Sequence, residues 1–440
     1  MSANASADDV IFAIASGQGR AGVAVMRISG MRADEIFGSL FAAAAPPLAR
    51  TATLATLCDP DDGALLDRAL VIWFPEPRSF TGENVVELHL HGGPAVIAGV
   101  TGALSQLSGF RPAEPGEFTR RAFLNGKLDL AEAEGLGDLI EADTSFARRR
   151  AMWQMGGGLS AIYERWSDEL ADISALAEAA LDFSDEPVPD DLEDSVHARV
   201  EALALSFKEA LARPKVQERI GDGLRVVLSG PPNVGKSSLL NRLAGRDAAI
   251  VTDIPGTTRD ILEVRLDLGG YPVSIYDTAG LRETDDPVES EGVARALAAA
   301  RDADLVVAMT IAGDEAPPLP NFAASIRFWS KADLCPGFEP ADGISGSVVS
   351  GTGIDQLEDA LTAAAKQAVE GDADPAITRA RHRTALQDAS AALERAIAAP
   401  AFELMAEDLR LARRALGRVT GAVDVEALLD RIFLSFCIGK

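Results

Sequence analysis

The chain has 440 residues, of which 47% are hydrophobic and 25% are charged, and its formal net charge at pH 7 is −26. This balance predicts a folded protein of about two to four domains. So large an acidic excess repels polyanions at long range, which argues against non-specific nucleic-acid binding as the main activity. The polar, acidic start MSANASADD predicts neither a secretory signal nor a transit peptide, and no run of about 18 apolar residues predicts a membrane span. Three widely separated cysteines fit a reducing compartment, so we expect a cytoplasmic protein.

Residues 1–126 are predicted to form a mixed α/β domain. Short apolar runs typical of strands occur there, namely VIFAIA, GVAVMRIS, ALVIWF and VVELHLH. Gly/Pro turns and one helical stretch, ADEIFGSLF, separate them.

From residue 127 the pattern changes to long helices. Apolar residues recur every three or four positions, as in a helix bundle, at Leu159, Ile162, Trp166, Leu170, Ile173 and Leu176. At LRVVLS the pattern changes again, to strand–helix alternations typical of a parallel sheet. The sequence therefore predicts an α/β domain at 223–367, inserted into a discontinuous helical domain at 127–222 and 368–440.

The strongest motif is GPPNVGKS (230–237), which follows the strand-like LRVVLS and precedes the helix-like SSLLNRLAG. Glycines in such a loop let backbone N–H groups surround phosphate oxygens at a helix N-terminus. Lys236 is expected to reach the β- and γ-phosphates, and Ser237 to ligate Mg²⁺. The motif predicts a Ras-like P-loop domain.

Two further stretches follow in the order expected of a GTPase. VTDIPGTTRD (251–260) offers Thr258 as a second hydroxyl ligand for Mg²⁺. YDTAG (276–280) offers Asp277 to Mg²⁺ through water, and Gly280 offers its backbone N–H to the γ-phosphate.

The base is predicted to be guanine. IRFWSKAD (326–333) resembles the N-K-x-D box, in which Asp333 accepts two hydrogen bonds from guanine. Ser330 stands where Asn is usual, which predicts the loss of an amide that braces the loop and touches the base, and hence micromolar rather than nanomolar affinity. SVVSGTGI (347–354) resembles the last guanine loop, with Val349 replacing a basic residue. The predicted nucleotide-binding residues are Asn233, Val234, Gly235, Lys236, Ser237, Ser238, Thr252, Asp253, Ile254, Pro255, Gly256, Thr257, Thr258, Asp277, Thr278, Ala279, Gly280, Lys331, Asp333, Ser347, Val348 and Val349.

Hydrolysis needs a group other than the water-orienting Gln of small signalling GTPases, because Leu281 stands in its place. Glu289, in the acidic stretch RETDDPVESEG, is the candidate catalytic carboxylate for the attacking water. The alternative interpretation of that stretch is a solvated acidic run. No arginine finger is evident, and the oxygen donors of Asn233 and DIPGTT suit a monovalent cation near the phosphates.

Long stretches of the chain, from end to end, resemble the MnmE (TrmE) family of tRNA-modification GTPases. Beyond the GTPase motifs, these are GRAGVAVMRISG (19–30), SFTGENVVELHLHGG (79–93), PGEFTRRAFLNGKLDLAEAEGLGDLI (115–140), DFSDE (182–186) and FCIGK (436–440). The departures are Ser330 and the pair Val348 and Val349. The resemblance implies an N-terminal folate-binding-type domain through which the chain forms a homodimer, a helical domain and a G domain.

The resemblance also implies cofactors and partners. K⁺ would lie among Asn233, Thr252, Ile254 and Thr257, in the role of the missing finger. A one-carbon folate, 5,10-methylene- or 5-formyl-tetrahydrofolate, would contact Arg27, Glu87, Lys127 and Lys440. An FAD-dependent partner, MnmG (GidA), would form a heterotetramer with the chain and carry most of the tRNA. Together they would add an aminomethyl or carboxymethylaminomethyl group to C5 of wobble uridine.

Two alternatives remain open on the sequence. A pure GTPase switch would perform no one-carbon chemistry itself, and a ribosome-assembly GTPase would carry the same G motifs.

The role of Cys437 also remains open on the sequence. A prenylation box fits poorly because Gly439 and Lys440 do not match it. A buried apolar thiol and an active-site nucleophile or proton donor both remain.

Overall fold

The structure is a computed structural model that describes residues 9–17, 19–41, 46–182, 192–212, 223–245, 263–277, 303–316, 324–369, 375–423, 426–434, 436 and 438–439. The chain forms two compact units. The first comprises Met1–Glu134 and Thr420–Lys440, and the second is Gly135–Val419. No described helix is both long enough and apolar enough to cross a lipid bilayer.

Six strands form one sheet in the first unit. They are β1 (Val10–Ile14), β2 (Ala21–Ser29), β3 (Thr53–Cys58), β4 (Leu65–Phe74), β5 (Val85–Gly92) and β6 (Phe110–Pro112). Their order is β3-β4-β5-β2-β1-β6, and all neighbours are antiparallel except the parallel pair β1–β6. The four predicted strand runs correspond to β1, β2, β4 and β5. The predicted helical stretch is a short 3₁₀ turn, Ala33–Glu35, followed by α1 (Ile36–Ser39).

The two faces of this sheet differ because side chains alternate along each strand. On β5, Val86, Leu88 and Leu90 are buried in a core that also contains side chains of α1 and α2 (Pro94–Gln106). Glu87 and His89 point to the other face. There, α3 (Glu117–Leu124) places Phe118 against a smaller apolar cluster that includes Ile11 and Ala13 of β1.

The end of the chain packs on the first unit. Helix α12 (Glu426–Phe433) buries Leu429 and Phe433 against residues at the start of α4 (Leu130–Ile140), and Ile438 forms an antiparallel bridge with Pro115. The run VEALLDRIFLSF predicts a final helix over 425–436, with Val425, Leu428, Leu429, Ile432 and Phe436 on one apolar face, and sequence analysis placed it in the helical domain. The helix instead ends at Phe433. Its predicted apolar face includes Leu429 and the partly buried Ile432, whereas the side chains of Val425 and Leu428 lie outside the described residues.

The second unit contains the other sheet. Its strands are β7 (Leu224–Ser229), β8 (Glu263–Leu268), β9 (Tyr271–Asp277), β10 (Leu305–Ile311), β11 (Ala324–Ser330) and β12 (Ile344–Ser345). The order is β12-β11-β10-β7-β9-β8, with only β8 antiparallel to its neighbour. Side chains of α8 (Lys236–Ala244) and α9 (Ile354–Val369) contribute to its core. This is the mostly parallel α/β sheet that the sequence predicted.

Five more helices are described in the second unit, namely α5 (Ser145–Met155), α6 (Gly158–Asp182), α7 (Leu192–Leu211), α10 (Ala380–Ile397) and α11 (Phe402–Thr420). Helix α7 packs on both α6 and α10. On α6 the predicted stripe is confirmed, because Leu159, Leu170 and Ile173 are fully buried. The Tyr163 hydroxyl on the same helix donates a hydrogen bond of 2.8 Å to Ala376 O, and burial raises the pKa of this phenol.

The N-terminus of α5 is bonded to the turn between β8 and β9. Thr144 caps the helix by accepting a hydrogen bond from Ala147 N–H at 3.1 Å. The Phe146 N–H, in the first turn of the helix, donates to Gly270 O at 2.9 Å, and the Phe146 ring lies 5.6 Å from Tyr271. Gly270 has φ +91°, a backbone conformation that favours glycine, and a Cβ there would lie 2.4 Å from Ser145 Oγ. We call this contact the α5–hairpin contact.

Candidate functional site

The P-loop lies between β7 and α8, at the carboxyl edge of the parallel strands. Gly230 and Gly235 have φ values of +152° and +106°, and Asn233 adopts a left-handed φ of +61°. A Cβ on Gly230 would lie 2.4 Å from Met309 O, so β10 leaves no room for a side chain there. The loop thus has the backbone curvature that a phosphate-binding turn requires.

Lys236 begins α8 and is only 6% exposed. Its Nζ donates to Gly230 O at 2.8 Å and to Pro231 O at 3.1 Å, which holds the ammonium group inside its own loop. Ser237 and Ser238 follow in the first turn of the helix and are exposed. The ammonium group and the helix N-terminus together provide the electrostatics for a phosphate chain.

The two predicted base-binding turns are hydrogen-bonded to each other. Ala332 N–H donates to Gly346 O at 3.1 Å, and Lys331 has a left-handed φ of +56°. Asp333 is exposed in the short 3₁₀ turn that follows β11. In the second turn, Ser347 Oγ accepts hydrogen bonds from the N–H groups of Val349 and Ser350, both at 3.2 Å. Val348 packs partly on the sheet core, whereas Val349 is 87% exposed.

Ser330, where the sequence predicted the loss of a bracing amide, makes two contacts through its hydroxyl. Its hydroxyl lies 2.8 Å from Val234 O in the P-loop and 3.0 Å from Thr310 O on β10. The hydroxyl therefore links the base-binding turn to the P-loop, a contact that sequence reasoning missed. Its position at the end of a buried strand beside the P-loop was the available signal.

Several predicted site residues cannot be placed. Asp277 ends β9, where its backbone is described but its side chain is not. The predicted residues outside the described ones are Thr252, Asp253, Ile254, Pro255, Gly256, Thr257, Thr258, Thr278, Ala279, Gly280, Glu289, Cys437 and Lys440.

A second polar site lies on the sheet of the first unit, on the face opposite α1 and α2. Arg27 on β2 donates from Nε and Nη2 to Glu87 Oε1 at 3.1 and 3.0 Å. Its guanidinium carbon lies 5.3 Å from the ring centre of Phe80 and 5.9 Å from that of Phe118. Sequence reasoning missed both aromatic residues, although each lies in a motif that it singled out, SFTGEN and PGEFTRR.

Of the other two predicted folate ligands, Lys440 lies outside the described residues and Lys127 lies beside the turn at Gly82. Lys127 is exposed, and a Cβ on Gly82 would lie 3.1 Å from its Cε, so its stem passes the turn after Thr81. His89, which sequence reasoning also missed, has Nε2 3.8 Å from Glu87 Oε2. This nitrogen is buried and has no hydrogen-bond partner among the described residues.

The curvature of the P-loop, its enclosed lysine and the SKAD turn beside it define a P-loop nucleotide-binding protein of the GTPase class. Two family models match the chain. One, described as "GTP-binding protein TrmE N-terminus", covers residues 10–127, and the other, "MnmE helical domain", covers residues 130–437. The chain belongs to the MnmE (TrmE) family.

Curated relatives match over nearly the whole length. "tRNA modification GTPase MnmE" of Parvibaculum lavamentivorans is 53% identical, over 98% of this chain and 100% of that protein. The protein of the same name from Rhodospirillum rubrum is 50% identical, over 98% of this chain and 99% of that protein. Among solved structures, the G domain of the T. maritima FeoB iron transporter aligns with 32% of this chain and 98% of that chain, at 23% identity and a TM-score of 0.23, too low for an argument from overall shape.

Proposed function

We propose that this chain is a GTP-hydrolysing tRNA modification enzyme that acts with the FAD-dependent partner MnmG (GidA). The pair would add an aminomethyl or carboxymethylaminomethyl group to C5 of wobble uridine in certain tRNAs, with a folate as the one-carbon source. One observation carries the proposal: a guanine-type P-loop site lies in a chain that matches proteins named tRNA modification GTPase MnmE from end to end.

The G domain would bind GTP through Lys236 and the P-loop N–H groups, and Asp333 would select guanine. Mg²⁺ would be held by Ser237 and Thr258, and K⁺ by Asn233, Thr252, Ile254 and Thr257; the two ions would neutralise charge that develops on the transferred phosphoryl group. Ser237 and Asn233 are exposed, and Asn233 has a left-handed backbone; both side chains carry an oxygen of the type that binds these ions. Glu289 would hold the attacking water.

The Arg27–Glu87 site fits a folate chemically. A pterin is a planar ring with N–H donors and a carbonyl acceptor, and a carboxylate beside an arginine and two aromatic rings complements each of those features. Both Arg27 hydrogen bonds go to Oε1 of Glu87, and Oε2 accepts no hydrogen bond from the described residues. Lys127 and Lys440 would bind the acidic tail of the folate.

The net charge of the chain and its family membership support the proposed binding of a partner protein. A chain with a net charge of −26 repels tRNA, so a basic partner that binds the tRNA would complete the enzyme. A homodimer of this chain with two copies of the partner would form the heterotetramer. The acidic chain would then dock on the partner rather than on the nucleic acid.

The test is wobble-uridine analysis of tRNA from cells that lack this protein. We expect the modified uridine to disappear and to return with the wild-type gene. A Cys437→Ser gene should fail to restore it, while the purified variant keeps normal GTP hydrolysis and thermal stability, if the thiol acts in one-carbon transfer. Normal modification in the deleted strain would refute the proposal, and normal modification with Cys437→Ser would make this thiol structural.

A separate measurement tests the folate step. The full-length chain should bind 5-formyl-tetrahydrofolate, and Arg27→Ala should weaken binding without changing GTP affinity. A wild-type chain that binds no folate would favour the pure GTPase switch.

A further inference from the structure

In the connection between β4 and β5, residues 79–84 are held by a group of buried hydrogen bonds, and we call this segment the 79–84 loop. Thr81 Oγ1 lies 2.6 Å from Ser29 Oγ on β2, and both side chains are fully buried. Ser29 Oγ donates to Glu83 Oε2 at 2.8 Å, and the N–H of Glu83 donates back to Thr81 Oγ1 at 3.3 Å. The three residues therefore form a closed ring of hydrogen bonds.

The direction of each hydrogen bond in this ring follows from the groups involved. The carboxylate of Glu83 only accepts, and Arg121 Nη1 donates to its two oxygens at 3.3 and 3.2 Å. The single hydrogen of the Ser29 hydroxyl is used on Glu83, so the Thr81 hydroxyl donates to Ser29 Oγ. Each hydroxyl thus donates once and accepts once. A satisfied buried network of this kind holds its segment in one conformation.

The hydroxyl of Thr81 fixes the 79–84 loop next to Arg27. Its partner Ser29 lies two residues from Arg27 on the same face of β2. Phe80, the residue directly before Thr81, has its ring centre 5.3 Å from the guanidinium carbon of Arg27. The same ring packs against the apolar cluster that contains Phe118. The position of the Phe80 ring beside Arg27 therefore depends on a loop that the Thr81 hydroxyl ties to β2.

The backbone of Thr81 is bonded to the segment that carries Lys127. Thr81 O accepts a hydrogen bond from Asn125 Nδ2 at 2.7 Å, and Asn125 lies two residues before Lys127. Gly82 has φ +82°, and a Cβ there would lie 3.1 Å from Asn125 Cβ and from Lys127 Cε, so the two segments are in close contact. One residue thus joins the strand of Arg27 to the segment of Lys127.

We propose that Thr81 is a positioning residue for folate binding, which holds the Phe80 ring beside Arg27 and acts on the ligand only through that ring. The inference rests on the proposed one-carbon function and adds a residue that the folate itself does not touch. A site whose ring is already held in place loses less conformational entropy when the ligand binds. Loss of the Thr81 hydroxyl therefore weakens folate binding and leaves GTP binding unchanged.

The experiment is a double-mutant cycle on the full-length chain, with 5-formyl-tetrahydrofolate as the ligand. Dissociation constants for the folate and for GTP are measured for the wild type, Thr81→Val, Phe80→Leu and the double variant. We expect Thr81→Val to weaken folate binding by roughly five- to twentyfold, because valine has nearly the shape of threonine but no hydroxyl. In the Phe80→Leu background the same change should cost less than about threefold, because the ring through which Thr81 acts is already gone. GTP affinity should equal that of the wild type in all variants.

Three further variants separate positioning from a loss of stability. Thr81→Ser keeps the hydroxyl and should bind folate within about twofold of wild type. Thr119→Val makes the same substitution at another fully buried threonine of the first unit, whose hydroxyl has no hydrogen-bond partner among the described residues, and it too should stay within about twofold. Ser29→Ala removes the acceptor of the same hydrogen bond, so it takes the place of Thr81→Val in the cycle should that variant fail to fold.

Two results would overturn the inference. Folate affinity within about twofold of wild type in Thr81→Val, or in Ser29→Ala where it takes that place, would mean that the ring of hydrogen bonds has no effect on the site. Equal losses in the wild-type and Phe80→Leu backgrounds would mean that Thr81 does not act through Phe80. Failure of the proposed one-carbon function has a different signature, because the wild type itself would then bind no 5-formyl-tetrahydrofolate.

Discussion

Glu117 binds two arginines in the first unit. Its carboxylate accepts from Arg111 Nη1 and Nη2 at 2.8 and 2.6 Å and from Arg121 Nη2 at 3.1 Å. Burial raises the pKa of Glu117, but the hydrogen bonds from Arg111 and from Glu114 N–H and the charge of Arg121 outweigh it, so the pKa lies below its usual value of 4.5. A carboxylate with a depressed pKa stabilises the folded state at neutral pH.

Glu117→Gln should therefore lower the free energy of unfolding by about 2 kcal/mol at pH 7. The stabilisation by Glu117 is fully present above its unfolded pKa, near 4.5, and is lost as pH falls through the lower folded pKa. The difference in the free energy of unfolding between wild type and variant should be constant from neutral pH down to about pH 5. Below that pH the difference should shrink, as measured by urea denaturation. Glu35→Gln, at the exposed pair with Arg32, should cost less than about 0.5 kcal/mol. A stability difference that grows at acidic pH would contradict the stabilising role of the ionised Glu117.

Asn233 belongs to the proposed K⁺ site, so GTP turnover should depend on the monovalent cation. Positive charge at the transferred phosphoryl group is worth ~10³–10⁵ in rate, and Na⁺ is too small for the same oxygens. Turnover should be high in KCl and low in NaCl of equal ionic strength, with GTP affinity little changed. Asn233→Ala should reduce the turnover in KCl towards the rate in NaCl. Equal turnover in the two salts would remove K⁺ from the mechanism.

At the scale of elements, the α5–hairpin contact connects a bundle helix to the strand that ends at Asp277. Phe146→Ala should remove a partly buried ring from the sheet core and cost about 2 kcal/mol of stability. Because β9 would lose support close to the predicted Mg²⁺ ligand, we expect a non-hydrolysable GTP analogue to lose several-fold more affinity than GDP. Met152→Ala, an exposed position on the same helix, is the control. Equal losses for both nucleotides would show that the contact only stabilises the fold.

The elements that sequence analysis found and missed differ in how much local signal they carry. Strands β1 and β5 are continuous apolar or alternating runs, and α6 repeats its stripe over several turns, so each is specified by its own residues. Strand β6 has three residues and includes Pro112, and it exists because it pairs with β1 from a distance of about 100 residues along the chain. Strand β3, at the sheet edge, has only a weak alternation of apolar and polar residues, which is equally typical of a loop.

The candidate sites could likewise be predicted only where their residues are neighbours along the chain. The P-loop residues follow one another along the chain, so their motif was sufficient to place them. The bonds of Ser330 join residues 96 and 20 positions apart, and the rings around Arg27 come from separate segments, so no local pattern contains either arrangement. Long-range hydrogen bonds and packing decided these details.

At the scale of the whole molecule, the first unit is built from both ends of the chain. Gly439 has φ +99°, and a Cβ there would lie 2.1 Å from Ile14 O. Gly439→Ala should therefore destabilise the first unit by about 1–3 kcal/mol, seen as a lower unfolding midpoint. Gly102→Ala on α2, where a Cβ meets nothing within 4 Å, should instead be neutral or stabilising by up to about 1 kcal/mol. Wild-type stability in Gly439→Ala would show that the tail adds nothing to this unit.

The docking of Leu429, Phe433 and Ile438 on residues of the first unit also has a consequence for synthesis. A ribosome makes Met1–Glu134 first and then the whole of Gly135–Val419 before it reaches the segment that packs on them. At about 5–20 residues per second, that interval lasts roughly 15–60 s. Throughout it, the apolar surface around Leu130 and Ala133 has no covering helix. The first unit therefore completes its core only at the end of synthesis, and chaperones have that interval in which to bind the uncovered surface.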